Sequence, residues 1–338
     1  MIGYLPLSLK KKALPFRVGQ KIQPTIILPS TYGGSYVSSS SRLRPPHMIE
    51  KAASHRHQGH ITPLMQLSKL LAARGFDITF VTTHFNVAKM LKAKQAGAHL
   101  PMGIRLLGIP DGLPPSHPRD SSGDLEAFFG SLLVLHASFD ELVRQMLQEQ
   151  GLHITCIISD SFLLWSQDVA NKWCIPRVSF WPQSLTAFAC GISVPQIKAA
   201  YPNLDPFNHE VYSNEACRVQ NCIPGLLDIA ASKLPFLFPS VNWLRHHLQV
   251  QMDRVNEPLC IICNTFPDLE QEMVTHLKAP LLSKPIFTLG PLLPSAFLGG
   301  QYGKDDKGTG SSLHDEDEQQ RLSGFLNPYN ADLVLLVR

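Results

Sequence analysis

A histidine and an aspartate standing 100 positions apart are the residues best suited to chemistry in this chain of 338 residues. His60 lies in the stretch Gln58-Gly59-His60-Ile61-Thr62-Pro63. The glycine frees the backbone to turn, and a proline two residues after the histidine's neighbour suits the first turn of a helix. Leu64, Leu67, Leu70 and Leu71 then repeat at helical spacing, and Gly75 follows Arg74 as a helix stop. His60 is therefore predicted at a loop-to-helix junction, where the helix dipole disfavours added positive charge and leaves the imidazole neutral and basic. Asp160 directly follows the apolar run Ile154 to Ser159. A carboxylate hydrogen-bonded to one imidazole nitrogen fixes the tautomer and stabilises the imidazolium once the other nitrogen has taken a proton. Such a pair is a general base. A nucleophilic serine would turn it into a hydrolase triad, but the chain has no Gly-x-Ser-x-Gly turn, and Ser161 lacks that context. The proton is then expected to come from a bound molecule, such as an acceptor hydroxyl. Phe85, Phe162, Trp165, Phe180, Trp181 and Phe188 all fall near predicted strand ends. Together they suit an aromatic-lined pocket for an apolar molecule.

The elements that must position these groups alternate. A helix from about residue 60 is followed by a strand, Phe76 to Thr83, and by a helix over 87–96 with Asn86 as its predicted cap. Ile104 to Ile109 is a strand closed by the turn signal Pro110-Asp111-Gly112, and Asp124 opens a long helix reaching about Gln150. The nearly all-apolar strand Ile154 to Ser159 is expected to be buried on both faces. A helix over 162–173, a strand over 176–181, an irregular polar region over 201–222, a strand Leu259 to Asn264, a helix over 267–278 and a strand Ile286 to Leu289 complete the series. Strands alternating with helices imply an α/β fold, a Rossmann-like parallel sheet with helices on both faces. In such a sheet the working groups sit beyond the carboxyl ends of the strands, which puts His60 and Asp160 on one rim.

Composition excludes several classes. The chain is 44% hydrophobic and 17% charged with net charge +3, an ordinary globular balance whose basic residues form no nucleic-acid patch. Seven cysteines in no framework spacing suggest reduced thiols in the cytoplasm. No apolar run reaches the roughly 18–20 residues of a membrane span. Cys260-Ile-Ile-Cys263 has redox or zinc spacing, but in a strand positions i and i+3 point to opposite faces. His55, His57 and His60 form a histidine-rich tract with no acidic or cysteine ligand nearby, so no metal site is expected. No Gly-x-Gly-x-x-Gly follows a strand. Residues 1–49 contain no acidic residue and carry a basic, serine-bearing sequence, expected to be a disordered or misassembled leader.

Several stretches resemble the N-terminal, acceptor-side half of plant-type UDP-dependent glycosyltransferases of the GT-B fold. They are QGHITP leading into LMQLSKLLAARGFDITFVTTHFN, then CIISDSFLLWSQDVANKWCIPRVSFW, IPGL at 223–226, CNTFPDLE at 263–270 and TLGPLLP at 288–294. The resemblance implies that His60 is the general base and Asp160 its orienting partner; Phe85, Phe162, Trp165, Trp181 and Phe188, from the aromatic set near the strand ends, are the expected substrate-binding residues. It implies inverting transfer of a hexose from a UDP-sugar co-substrate to a hydroxyl of a small lipophilic acceptor, with neither metal nor other cofactor.

Three departures stand out. AASHRH occupies 52–57, where the family has a buried strand, so either a gap in the sheet or a replacement strand from about 24–29 is expected. Pro182 stands where the family often has a threonine contacting the sugar. The family's second domain, with the box that grips UDP, has no counterpart before Arg338. The expected layout is thus a leader at 1–49, an acceptor-binding domain at 50–298, an interdomain linker at 299–326 and the start of an absent donor-binding domain at 327–338. UDP-sugar binding is expected only with that second domain, and the chain by itself is expected to be incomplete and inactive. The alternative is a non-catalytic acceptor-binding or pairing fragment.

Overall fold

The computed structural model describes residues 25–29, 60–95, 103–117, 119, 125–202, 218–234, 242–277, 282–293 and 335–336. The rest of the expected leader, His55 and His57, the Asp124 cap and the linker at 299–326 lie outside the described residues.

The strands are β1 (Thr25–Pro29), β2 (Asp77–Thr83), β3 (Ile104–Ile109), β4 (Ile154–Asp160), β5 (Arg177–Trp181), β6 (Arg218–Ile223), β7 (Leu226–Ala230), β8 (Cys260–Cys263), β9 (Ile286–Thr288) and β10 (Leu335–Leu336). The helices are α1 (Ile61–Ala73), α2 (His84–Gln95), α3 (Leu125–Arg144), α4 (Trp165–Lys172), α5 (Leu185–Ile192), α6 (Val194–Ala200), α7 (Asn242–Asp253) and α8 (Pro267–His276). One parallel sheet runs β3-β2-β1-β4-β5-β8-β9, and β6 and β7 form a separate antiparallel hairpin. The place between β2 and β4 is taken by β1, the replacement strand, pairing Leu28 with Phe80 on one side and Ile27 with Ile157 on the other. β10 also meets β4, at Cys156 and Ile157.

Alternation along the strands sorts the core into two layers. Ile78 and Phe80 of β2, Cys156 and Ile158 of β4, Val178 and Phe180 of β5, and Cys260 and Ile262 of β8 pack with Leu64, Leu67 and Leu71 of α1. The intervening residues face away. Val81 and Ile157 pack with Phe139 and Val143 of α3, while Trp181, Ile261 and Cys263 pack with α5 and Met273 of α8. All seven residues of β4 are buried, as its apolar sequence requires of a central parallel strand. Cys260 and Cys263 fall on opposite faces of the sheet in these two layers, so their spacing builds no metal or redox pair. Desolvation pushes the Cys260 thiol up to about 12 and the Cys263 thiol higher still, which keeps both protonated.

Several boundaries differ from the sequence expectation for identifiable reasons. α2 begins at His84 because Thr83, not Asn86, caps it: the Asn86 N–H donates to Thr83 Oγ1 at 3.2 Å, and the Asn86 side chain donates to Thr82 Oγ1 instead. The long third helix is α-helical only to Arg144 and closes as a π-helical turn over Gln145–Glu149. The polar region before residue 222 ends in a strand, with Pro224-Gly225 turning β6 into β7 and Gly225 at φ +75°. α7 had no counterpart in the sequence reading.

Candidate active site

α1 and β4 bring the two chemical groups together. The α1 helix lies on the Ile158 face of β4. Asp160, two residues further along the strand, continues that face at the strand's carboxyl end. His60 precedes the first residue of α1. Pro63 occupies the third helical position, where a missing N–H breaks no helical bond. The far end of α1 is closed by Gly75 at φ +86°, with the Phe76 N–H reaching back to Leu71 O at 3.2 Å and the Gly75 N–H to Ala72 O at 2.9 Å.

The His60 Nδ1–H donates to Asp160 Oδ2 at 2.5 Å, and both residues are buried. The second carboxylate oxygen, Oδ1, accepts the Phe162 N–H at 2.8 Å. Asp160 is thus held from two sides, and its partner's tautomer follows: with the proton on Nδ1, Nε2 carries the lone pair. Among the described residues Nε2 has no hydrogen bond. The arrangement is a base with its orienting carboxylate in place. Ser161 adds nothing to it, because among the described residues its Oγ is buried without a partner and His60 bonds Asp160 alone.

Four of the residues named from the sequence form one contiguous line. Phe162 meets the His60 ring edge-on at 5.3 Å, Trp181 stacks 6.4 Å from Phe162, and Phe188 meets Trp181 edge-on at 5.1 Å. The other three aromatic residues are elsewhere, Phe180 being fully buried in the core beneath α1. Trp165 packs between His136, stacked at 5.6 Å, and Phe139, in the core beneath α3. Phe85 is held between Lys89 at 4.3 Å and Arg119 at 4.8 Å from its ring centroid. Arg119 in turn grips both oxygens of Asp111 and the carbonyls of Leu113, Pro114 and His117, tying the 111–119 loop to α2. Pro182, with no hydroxyl to offer, presents its carbonyl to the Asn264 amide at 3.5 Å.

Two groups at this rim were not found from the sequence. His247 of α7 stacks on Phe162 at 6.3 Å and donates from Nε2 to Phe162 O at 2.8 Å. Burial pushes its imidazole below the ordinary value, so it stays neutral. Glu270 caps α5 from a distance of over eighty residues. It accepts the Leu185 and Thr186 N–H groups at 2.7 and 2.8 Å, and the hydroxyls of Thr186 and Thr265 at 2.7 and 2.6 Å. To reach them, its backbone leaves helical geometry inside α8 at φ −135° and ψ 40°. A negative charge at a helix N-terminus is well placed, and α5 carries Phe188 of the aromatic line. The capping glutamate left a trace in the Thr265-x-x-x-x-Glu270 spacing, but nothing local to α8 signals a partner on α5.

Among the described residues no group of three or more His, Cys, Asp or Glu could hold a metal ion, and no helix is long and apolar enough to cross a membrane.

The fold is that of a GT-B glycosyltransferase domain. A solved structure of Phytolacca americana UGT2, complexed with UDP-2-fluoro-glucose and pterostilbene, superposes with a TM-score of 0.56 over 81% of this chain and 56% of its own, at 16% identity. In sequence the chain belongs to the plant UDP-dependent glycosyltransferases. It is 33% identical over 275 residues to an (R)-mandelonitrile beta-glucosyltransferase of Prunus dulcis, covering 78% of this chain and 55% of that enzyme. It is 31% identical over 274 residues to UDP-glycosyltransferase 85A2 of Arabidopsis thaliana, covering 78% of this chain and 55% of that one. No family model matches. The chain spans about half the length of the curated relatives it matches.

Proposed function

We propose that this chain supplies the acceptor side of an inverting UDP-hexose transferase, with His60 as general base and Asp160 as the group that orients it. The observation that carries the proposal is the buried Nδ1–Oδ2 bond of 2.5 Å, which points the basic character of the imidazole at Nε2. A small lipophilic acceptor lies against Phe162, Trp181 and Phe188, with its hydroxyl at Nε2. As the anomeric C–O bond to UDP breaks, the hydroxyl oxygen forms the new bond on the opposite face of the sugar and its proton passes to Nε2. UDP leaves with the bonding electrons, and the imidazolium is stabilised by Asp160. Phe85 and Trp165 belong to the wider acceptor region in this proposal, acting through the 111–119 loop and the α3–α4 core. The acceptor domain is assigned to 50–298, its sheet completed by β1 (Thr25–Pro29), followed by a linker at 299–326 and the opening of a donor-binding region at 327–338, of which Leu335–Leu336 pair with β4, and the protein is assigned to the cytoplasm.

The second reading, acceptor binding or pairing without transfer, rests on the same aromatic line. One assay separates the two. The chain is joined to the donor-binding half of a plant UDP-glycosyltransferase and incubated with UDP-glucose and a set of aryl and terpenoid alcohols, and UDP release, product and anomeric configuration are followed. Product of inverted configuration, lost at least about a hundredfold in His60→Ala, is the expected result. Saturable acceptor binding with no product supports the second reading, and full turnover by His60→Ala refutes the assignment of the base.

A further inference from the structure

The turn that leads from β4 into α4 carries both Asp160 and Phe162, and most of its backbone is fastened locally. The Ser161 N–H donates to Phe180 O at 2.8 Å, the Leu163 N–H to Asp160 O at 3.0 Å, and the Phe162 N–H to Asp160 Oδ1 at 2.8 Å. From Leu163 onward the carbonyls serve the start of α4, with Leu163 O accepting from the Ser166 N–H and Leu164 O from the Gln167 N–H, both at 3.0 Å. The Phe162 carbonyl lies between these two sets and belongs to neither. Among the described residues it accepts only from His247 Nε2, at 2.8 Å, across 85 positions of sequence. The His247 ring also lies over the Phe162 ring, 6.3 Å away and inclined by 24°, while the edge of Phe162 meets His60 at 5.3 Å and 82°.

Three hydrogen bonds therefore run in series: His247 Nε2–H to Phe162 O, Phe162 N–H to Asp160 Oδ1, and His60 Nδ1–H to Asp160 Oδ2. The middle link sets the plane of the carboxylate. A carboxylate turns easily about its last side-chain bond, and it is the bond to Oδ1 that keeps Oδ2 in line with the imidazole. That bond is only as fixed as the Phe162 backbone. With its carbonyl unclaimed, Phe162 could rock about its own φ and ψ, and a buried peptide oxygen would be left without a partner. His247 is the one group outside the turn that claims it. Burial lowers the affinity of His247 for a second proton, so it donates as a neutral ring. A neutral donor also places no positive charge opposing the imidazolium that forms on His60.

We propose that His247 is a positioning residue for the His60–Asp160 pair: its Nε2–H holds the Phe162 carbonyl, and so holds the N–H that orients the Asp160 carboxylate toward His60. Its bearing on sugar transfer rests on the reading of His60 as the general base, whereas the coupling of His247 to the His60–Asp160 bond does not. Misplacing a reacting group by about 1 Å costs up to roughly a hundredfold in rate. His247 stands two bonds back from the imidazole, so an effect of about tenfold is expected.

The test is nuclear magnetic resonance of the full chain with nitrogen-15 in its histidine rings. The parent should show a downfield, exchange-protected Nδ1–H signal from His60, assigned by its absence in His60→Ala, and His247 as the Nε2–H tautomer. His247→Phe keeps a ring against Phe162 but has no donor, and the His60 signal should be lost to exchange. His247→Gln, whose amide nitrogen falls near the place of Nε2, should restore it. In the chain joined to a donor-binding half, His247→Phe should lower kcat about tenfold with acceptor KM changed less than about twofold, and His247→Gln should recover most of the rate. A parent fusion that makes no product sinks the transfer reading and leaves the resonance test of His247 intact. Should His247→Phe fail to fold, His247→Leu takes its place. A His60 signal unchanged in the donor-free variant, equal loss in His247→Gln, a raised acceptor KM at constant kcat, or an Nδ1–H tautomer of His247 in the parent would overturn the proposal.

Discussion

Two polar regions lie on either face of the same strands, and they are finished to different degrees. At the rim, every polar atom of Asp160 is used: one carboxylate oxygen takes His60 and the other takes a backbone N–H. Through the sheet, beside an Arg177 whose three nitrogens each donate a hydrogen bond, Gln251 is buried with neither of its side-chain polar atoms partnered among the described residues. A fully satisfied buried network is rigid, and removing any member leaves another stranded. An unsatisfied one holds free energy that a ligand can release. The first therefore holds one geometry, and the second costs the fold stability.

The largest effect should come from breaking the finished region. Asp160→Ala leaves His60 and the Phe162 N–H without a partner in a buried site and should destabilise the fold by about 3 kcal/mol or more, read by urea denaturation. Asp160→Asn separates stability from chemistry. Its oxygen still accepts the Phe162 N–H, but its amide donates to Nδ1 and so moves the imidazole proton to Nε2. It should cost far less stability than the alanine while depressing transfer nearly as much as His60→Ala. Equal loss of stability in both variants would mean that charge, not shape, holds the site together.

Glu270 provides an intermediate case, a half-buried carboxylate satisfied by four donors. Burial raises its pKa, and the bonds from Thr265, Thr186 and Leu185 outweigh that, so that the net shift is below the ordinary 4.5. A depressed carboxylate contributes stability that is complete above its unfolded value and is lost as pH falls through the folded one. The parent should therefore lose stability as pH drops below about 4.5, and Glu270→Gln should lose less over the same range. Glu270→Ala at neutral pH should cost about 2 kcal/mol, the scale of a few charge-assisted bonds at a partly solvated site. A flat pH response in the parent would show that the cap contributes little to α5.

These cases also show why the sequence was legible in some places and not in others. His60 and Asp160 were readable because each sits at a junction that local pattern defines, a glycine turn into a leucine-striped helix and the end of an apolar strand. The parallel fold then carries both to one rim. The replacement strand over Thr25–Pro29 was readable as the only β-like run available near the place of the missing one. Trp165 and Phe162 looked alike in sequence, but the helical turn between them sends one under α3 and the other toward His60. α7 escaped notice because its buried positions include a glutamine where the periodicity calls for an apolar residue. The capping role of Glu270 escaped notice because its partners lie over eighty residues away and are reached through a kink.

That buried glutamine gives the smallest effect and the sharpest contrast. If Gln251 does not serve the fold, Gln251→Leu should make the protein more stable. The leucine has similar volume, the variant removes two unpartnered polar atoms from the interior, and no neighbouring donor or acceptor loses a bond, since none was made. A gain of about 1 kcal/mol is expected by thermal or urea denaturation. The opposite sign holds on the other face of the sheet, where every substitution at Asp160 must lower stability. A destabilising Gln251→Leu would place Gln251 among the residues that serve the fold and would make the two faces alike.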